Sequence, residues 1–315
     1  MTTNVITEKK KLYVCLIEKY AFALVALSAA ALVIIFPDII RTSVLEGISL
    51  CVKSIVPTLF PFIILSDFLL SLYPVSKHSL SSALFEKAFG IGAVCVSAFV
   101  CGAICGFPIG AILIKSLYDN GAIDKKDAEN MLPIATLPSF VFVISGVGSG
   151  LFGNVKLGMF LWFASFISTI AVGFIFRSGD KKLPIIREIP KAKFNLASSI
   201  KKSGFTAINI SSFIIFFSAV LGVLKSVIKN EYICAVLAAF FEIGNACNYI
   251  AYSGITYSVK LPLLCFALGF SGLSVFMQVV GVVSDSKISC KTYFVQKTLQ
   301  GVLCALIALL AVFSY

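Results

Sequence analysis

Three groups of residues in this chain have the types and spacing to do chemistry with a solute. The first is the run Cys105-Gly106-Phe107-Pro108-Ile109-Gly110-Ala111, which interrupts the apolar stretch 89–117. Glycine and proline together end one helix and start another. Pro108 suits the first turn of the new helix, where its missing N–H would have had no helical partner. A helix N-terminus set inside an apolar stretch presents unpaired N–H groups and partial positive charge, a setting for an anion. The second group is Gly269-Phe270-Ser271-Gly272-Leu273-Ser274, with Gln278 one turn after Ser274. The third is Glu242, the sole acid of the run 233–252, followed by Asn245 and Asn248. A continuous helix would place these three on one broad face.

An ionisable side chain at membrane depth costs at least about 2.5–3.5 kcal/mol unless it is paired or faces water. Glu242 and Gln278 are therefore read as interior residues that serve a site. Lys115, two turns after Pro108, has three open readings: it neutralises an anionic solute, pairs with Glu242, or snorkels to the interface. The break at 106–110 also has a plain alternative, a proline kink with close packing through small residues. Its recurrence near Gly272 favours a site. Asp67 and Lys53 read as interfacial, and the single His78 as a loop residue. There is no Gly-x-Ser-x-Gly elbow, no His/Cys metal spacing and no phosphate loop. The expectation is no enzyme, no cofactor and no metal.

These residues need elements to hold them, and the composition says which. Of 315 residues, 59% are apolar and 13% charged, with a mean hydropathy of +1.00. Soluble domains carry about 25% charged residues. Residues 20–37, 132–155, 157–176, 261–284 and 298–315 contain no Asp, Glu, Lys or Arg. Roughly 20 apolar residues span the hydrocarbon core as a helix, and the runs are too uniform for barrel strands. The expected class is all-α, a polytopic membrane protein with broken or re-entrant helices, and its medium is the lipid bilayer.

The net charge of +11 does not point to nucleic acid, because it is concentrated beside the spans. Residues 177–202 hold eight basic residues against two acidic, a net of +6, and residues 1–19 hold four against two, a net of +2. By the positive-inside rule both segments face the cytoplasm. Residues 20–36 lack a small-x-small cleavage site, so a retained first span is expected rather than a cleaved signal. The ten cysteines lie scattered, mostly in apolar runs. Cys101 and Cys105 share a helical face, and core packing is the reading for them.

Features recur in order on either side of the basic segment. Pro57 to Asp67 matches Ser212 to Ser218, Phe85-Glu86 matches Phe241-Glu242, and Gly106-Phe107-Pro108 matches Gly272-Leu273-Ser274. Asp119 and Asp285 then follow, then the amphipathic stretches 123–131 and 288–297, then a closing apolar helix. The predicted division is a tail and first span at 1–40, a first repeat at 41–177, a basic cytoplasmic linker at 178–204 and a second repeat at 205–315. Internal repeats of this kind are common in secondary transporters, with the site at the repeat interface. Candidate spans in the first half are 20–36, 55–73, 89–117, 133–152 and 157–176. Two cytoplasmic basic segments require an even number between them. Residues 89–117 would be about 43 Å long as one helix, so either they form two half-helices or another candidate is re-entrant. The prolines and glycines of 132–153, among them Pro133 and Pro138, suit such an element.

The succession Val56-Pro57-Thr58-Leu59-Phe60-Pro61, Cys105-Gly106-Phe107-Pro108-Ile109-Gly110-Ala111, Gly121-Ala122-Ile123-Asp124 and Phe270-Ser271-Gly272-Leu273-Ser274-Val275 resembles the YlbJ (SpoVV) sporulation integral membrane proteins. Their spans belong to the nucleoside-recognition or Gate domain group. The resemblance runs from about 44 to 310 and implies a multi-pass transporter-like protein of the cell membrane. It further implies the outer forespore membrane of endospore formers, with dipicolinate as a small anionic solute. Carried over, it marks Gly106, Pro108, Gly110, Pro138, Glu242, Ser271, Gly272, Ser274 and Gln278 as solute-binding. Phe107, Lys115 and Asn245 join them from the residues themselves. Phe107 stands where the family has Asn, and Ala135-Thr136-Leu137-Pro138 keeps only the Thr of a more polar pattern. A less polar solute, or a role outside sporulation, therefore stays open beside dipicolinate. The alternative class is a non-transporting membrane scaffold or assembly factor. Oligomeric state is left open.

Overall fold

The computed structural model describes residues 31–72, 85, 87, 89–90, 93–177 and 194–313. Most of the first span expected at 20–36, His78, Glu86 and the basic residues 178–193 lie outside the described residues, as does the Asp67 side chain. The α-helices are α1 (Pro37–Leu50), α2 (Val56–Leu72), α3 (Val96–Cys105), α4 (Phe107–Asp119), α5 (Lys125–Ala135), α6 (Val155–Ile175), α7 (Leu196–Val227), α8 (Glu231–Phe241), α9 (Ile243–Tyr252), α10 (Tyr257–Phe270), α11 (Gly272–Val283) and α12 (Lys291–Phe313). Two π-helical stretches, Cys51–Ile55 and Phe142–Leu151, complete the main elements. There is no strand among the described residues, and the class is all-α.

Among the described residues, four stretches are long and apolar enough to cross a bilayer: α6, α7, α10 with α11, and α12. A fifth is the pair Pro37–Ile55 and Leu59–Leu65, bent by 46°. Pro57 and Pro61 remove two backbone donors there, and the π turn adds to the bend. Large apolar side chains face outward, Phe205, Ile208 and Leu310 among them, while Ser165, Ser168, Thr169, Glu242, Gln278, Lys297 and Gln300 are buried. Apolar outside and polar inside is the arrangement lipid imposes. The chain is a polytopic α-helical membrane protein.

The apolar run 89–117 resolves as two half-helices. Helix α3 ends at Gly106, whose φ of 94° is open to glycine and strained for other residues, and α4 starts with Pro108 in its first turn. Helix α5 is capped by Asp124, which accepts the Asp127 N–H at 2.8 Å. Burial and the nearby Asp124 carboxylate hold the Asp127 carboxyl up at about 6, with Lys126 acting the other way. The helix stops at Ala135 because Pro138 disfavours helical backbone at the residue before it. Ser139 Oγ then accepts the Phe142 N–H at 3.2 Å and starts the next helical stretch. Helix α7 begins at Leu196 with Asn195 accepting the Ser198 N–H at 3.0 Å, so the end of the 178–204 segment is helix. The predicted boundary at 40–41 falls within α1.

Candidate functional site

Four interruptions, at Gly106, 136–139, Glu242 and Ser271, lie at the centre of this bundle, and they meet in pairs. A Cβ added at Gly106 would lie 3.4 Å from Ser139 Cβ, so the first two touch. A Cβ added at Gly272 would lie 3.1 Å from the Phe241 carbonyl and 3.2 Å from Glu242 Cα, so the last two touch as well. Helices α4 and α11, which follow the two Gly-containing motifs, pack against each other. The turn at Ser271 is left-handed, with φ 75°, and Gly272 follows at φ 80°. Its side chain accommodates this by donating to the Leu268 carbonyl at 3.3 Å.

Between the breaks lies a cleft with about 50 Å³ of free space. Gly106, Phe107, Pro108, Ser139, Glu242 and Gln278 line it, and Ile55, Ile210 and Ile214 close it with apolar surface. Residues 136 sequence positions apart are thus brought to one wall, which no local pattern dictates.

Glu242 does more than sit in a helix. It ends α8 and caps α9, accepting the Gly244 N–H at 3.0 Å and the Asn245 N–H at 2.6 Å. Asn245 Nδ2 donates to the same carboxylate at 3.0 Å and to Ser218 Oγ at 2.7 Å. Ser218 in turn donates to the Ile214 carbonyl at 2.7 Å. A carboxyl group held by these bonds at a helix N-terminus is fixed in position, and the bonds offset part of the cost of burying it. The continuous face expected for Glu242, Asn245 and Asn248 does not form, because the helix restarts at Ile243. Asn248 is exposed.

The other sequence candidates take supporting places. Ser274 is buried and its hydroxyl accepts from Gln278 Nε2 at 3.4 Å, which orients the amide in the cleft wall. Gly110 lies against α5: a Cβ there would come within 1.9 Å of the Ala135 carbonyl, and one at Gly102 within 1.8 Å. The α5 end therefore fits into a notch of two glycines. Pro138 lies buried in the turn of that break. Lys115 is elsewhere, bridging Asp119 at 2.6 Å and Asp285 at 3.3 Å, the two acids that follow the two motifs. Nearby, Glu129 Oε1 accepts the Ser289 N–H at 2.8 Å and ties the stretches 123–131 and 288–297 together. Cys101 and Cys105 are buried beside Ile63 and Ile109, and the Cys105 thiol donates to the Phe62 carbonyl at 3.5 Å. No group of three or more His, Cys, Asp or Glu side chains is placed to hold a metal among the described residues.

Sequence reasoning missed a second polar cluster, centred on Lys297. It lies inside α12, is 1% exposed, and donates to the Thr136 carbonyl and, at 2.9 Å, to Gln300 Oε1. Gln300 Nε2 donates to Thr169 Oγ1, and Tyr293 Oη lies 3.4 Å from Thr136 Oγ1. The expected amphipathic stretch 288–297 placed Lys297 at a helix edge. The signal available was a lysine in the stripe Tyr293, Lys297, Gln300, Cys304, Ala308, whose spacing of three or four residues marks one buried helix face.

The sporulation integral membrane protein YlbJ of Bacillus subtilis (strain 168) is similar to this chain, 26% identical over 309 residues, covering 84% of this chain and 75% of that protein. No family model matches the chain. No solved structure matches it. The chain is thus similar over most of its length to a sporulation integral membrane protein, and its own apolar, outward-facing helices make it an integral membrane protein as well.

Proposed function

We propose that the chain is a secondary-transporter-like permease that binds a small carboxylate-bearing solute in the cleft between the paired breaks. The observation that carries this reading is the convergence of interrupted helices from both parts of the chain on one cleft, with Glu242 and Gln278 in its wall. Discontinuous helices whose ends face a central cavity are how transporters hold solutes at the membrane midplane. Glu242 already occupies the α9 N-terminus. The donors left for an anion are the first-turn N–H groups of α4, Ser139 and Gln278. The free space, about 50 Å³, is too small for an aromatic dicarboxylate, so the walls must part for a solute to enter. Alternating access works by such movement.

Endospore formation is the setting, supported by the name of the B. subtilis relative, and dipicolinate is the leading solute on the resemblance of the sequence motifs alone. In this reading the chain catalyses no reaction, binds no cofactor, and sits in the outer forespore membrane with residues 1–19 and 177–202 in the cytoplasm. The two-repeat organisation, of the Gate-domain kind, is supported by the contact of matched features: α4 with α11, Asp119 and Asp285 around Lys115, and 123–131 with 288–297. The test is uptake of labelled dipicolinate by proteoliposomes containing the purified chain. Saturable uptake above empty vesicles is expected; flux equal to empty vesicles contradicts the reading.

A further inference from the structure

Lys297 is a buried lysine with no carboxylate within salt-bridge distance among the described residues. Its partners are neutral oxygens, the Thr136 carbonyl and Gln300 Oε1. The Thr136 carbonyl belongs to the C-terminal end of α5, whose partial negative charge offsets only part of a full positive charge. A buried cation without a counter-ion is costly to keep. On its remaining side lies an aromatic ring: the Phe107 centroid is 5.8 Å from Lys297 Nζ, within cation–π reach. Phe107 is also a wall of the cleft. One side chain thus lies between the Lys297 amino group and the place where a solute would bind.

We propose that Lys297 is the positive charge of the site, and that it receives a carboxylate of the solute when the Phe107 ring turns aside. This rests on the permease reading and gives it a selectivity: the solute is an anion because an ammonium in a low-dielectric interior waits for one. Phe107 holds the empty state together by covering the ammonium with its ring face. A carboxylate then displaces a weaker partner with a stronger one, so binding and ring movement are linked. The purely structural alternative is that Lys297 only satisfies the Thr136 carbonyl freed by the α5 break.

The test is calorimetric titration of the purified full chain in nanodiscs with two probes, pyridine-2,6-dicarboxylate and the uncharged pyridine-2,6-dicarboxamide. The wild type should bind the dianion at least tenfold more tightly. Lys297→Met should lose that preference while still binding the diamide, and Lys297→Gln, which keeps a donor for Thr136, should lose it equally. Phe107→Ala should strengthen dianion binding severalfold, and this gain should vanish in Phe107→Ala/Lys297→Gln. Retention of the dianion preference by a monodisperse Lys297→Gln protein would overturn the proposal while leaving the permease reading in place. Absence of dianion binding by the wild type would instead sink the permease reading, and this proposal with it.

Discussion

At the scale of single residues, the account turns on side chains that both shape a break and face what the break creates. Glu242 caps α9 and lines the cleft, so its removal has two separable effects. The cap is worth about 0.5–2 kcal/mol, a loss of stability that exists whether or not a solute is bound. Ser271 offers a cleaner probe of the backbone alone. Its φ of 75° is a conformation glycine adopts freely and branched residues resist. Ser271→Gly should keep or raise stability, by up to about 1 kcal/mol, and Ser271→Val should lower it by about 1–3 kcal/mol. Thermal unfolding of the two variants in one detergent checks the sign. The sequence identified Glu242, Gln278 and the Gly106 and Gly272 breaks because rare polar residues and backbone-breaking residues stand out in apolar runs. It did not identify Ser139 or Lys297. Ser139 looks ordinary until Pro138 turns the chain, and Lys297 sits where an amphipathic pattern passes into an apolar one.

Elements are placed by close approach of backbone as much as by side-chain packing. The C-terminal end of α5 fits against α3 and α4 because Gly102 and Gly110 have no Cβ, and the Ala135 carbonyl occupies the space. That contact sets the position of 136–139, and with it Ser139 in the cleft wall and the Thr136 carbonyl bonded to Lys297. Gly110→Ala puts a Cβ within 1.9 Å of a backbone carbonyl, so α5 must move. The expected result is a loss of about 1–3 kcal/mol in stability, the cost typical of overpacking, together with weakened solute binding. An unchanged melting temperature would show that α5 yields without cost. The half-helix reading of 89–117 was available from length alone, since about 43 Å exceeds a bilayer core. The interruption at Glu242 was hidden because glutamate inside an alanine-rich run is a good helix former. Only its carboxylate bonding back to Gly244 and Asn245 reveals it as a cap.

For the whole molecule, composition was decisive: few charges and long apolar runs require lipid on the outside, and the buried polar residues then have to face one another. What composition does not convey is which of them meet. The cleft joins Gly106, Ser139, Glu242 and Gln278 across most of the chain, and that assembly depends on the packing of α4 against α11 rather than on any local signal. The central claim is that solute passes through this cleft. It is tested most directly by initial rates of labelled dipicolinate uptake into proteoliposomes carrying equal amounts of wild type, Glu242→Ala or Gln278→Ala. At least a tenfold loss of uptake is predicted for both variants with reconstituted protein unchanged. Wild-type rates in both variants would contradict the claim.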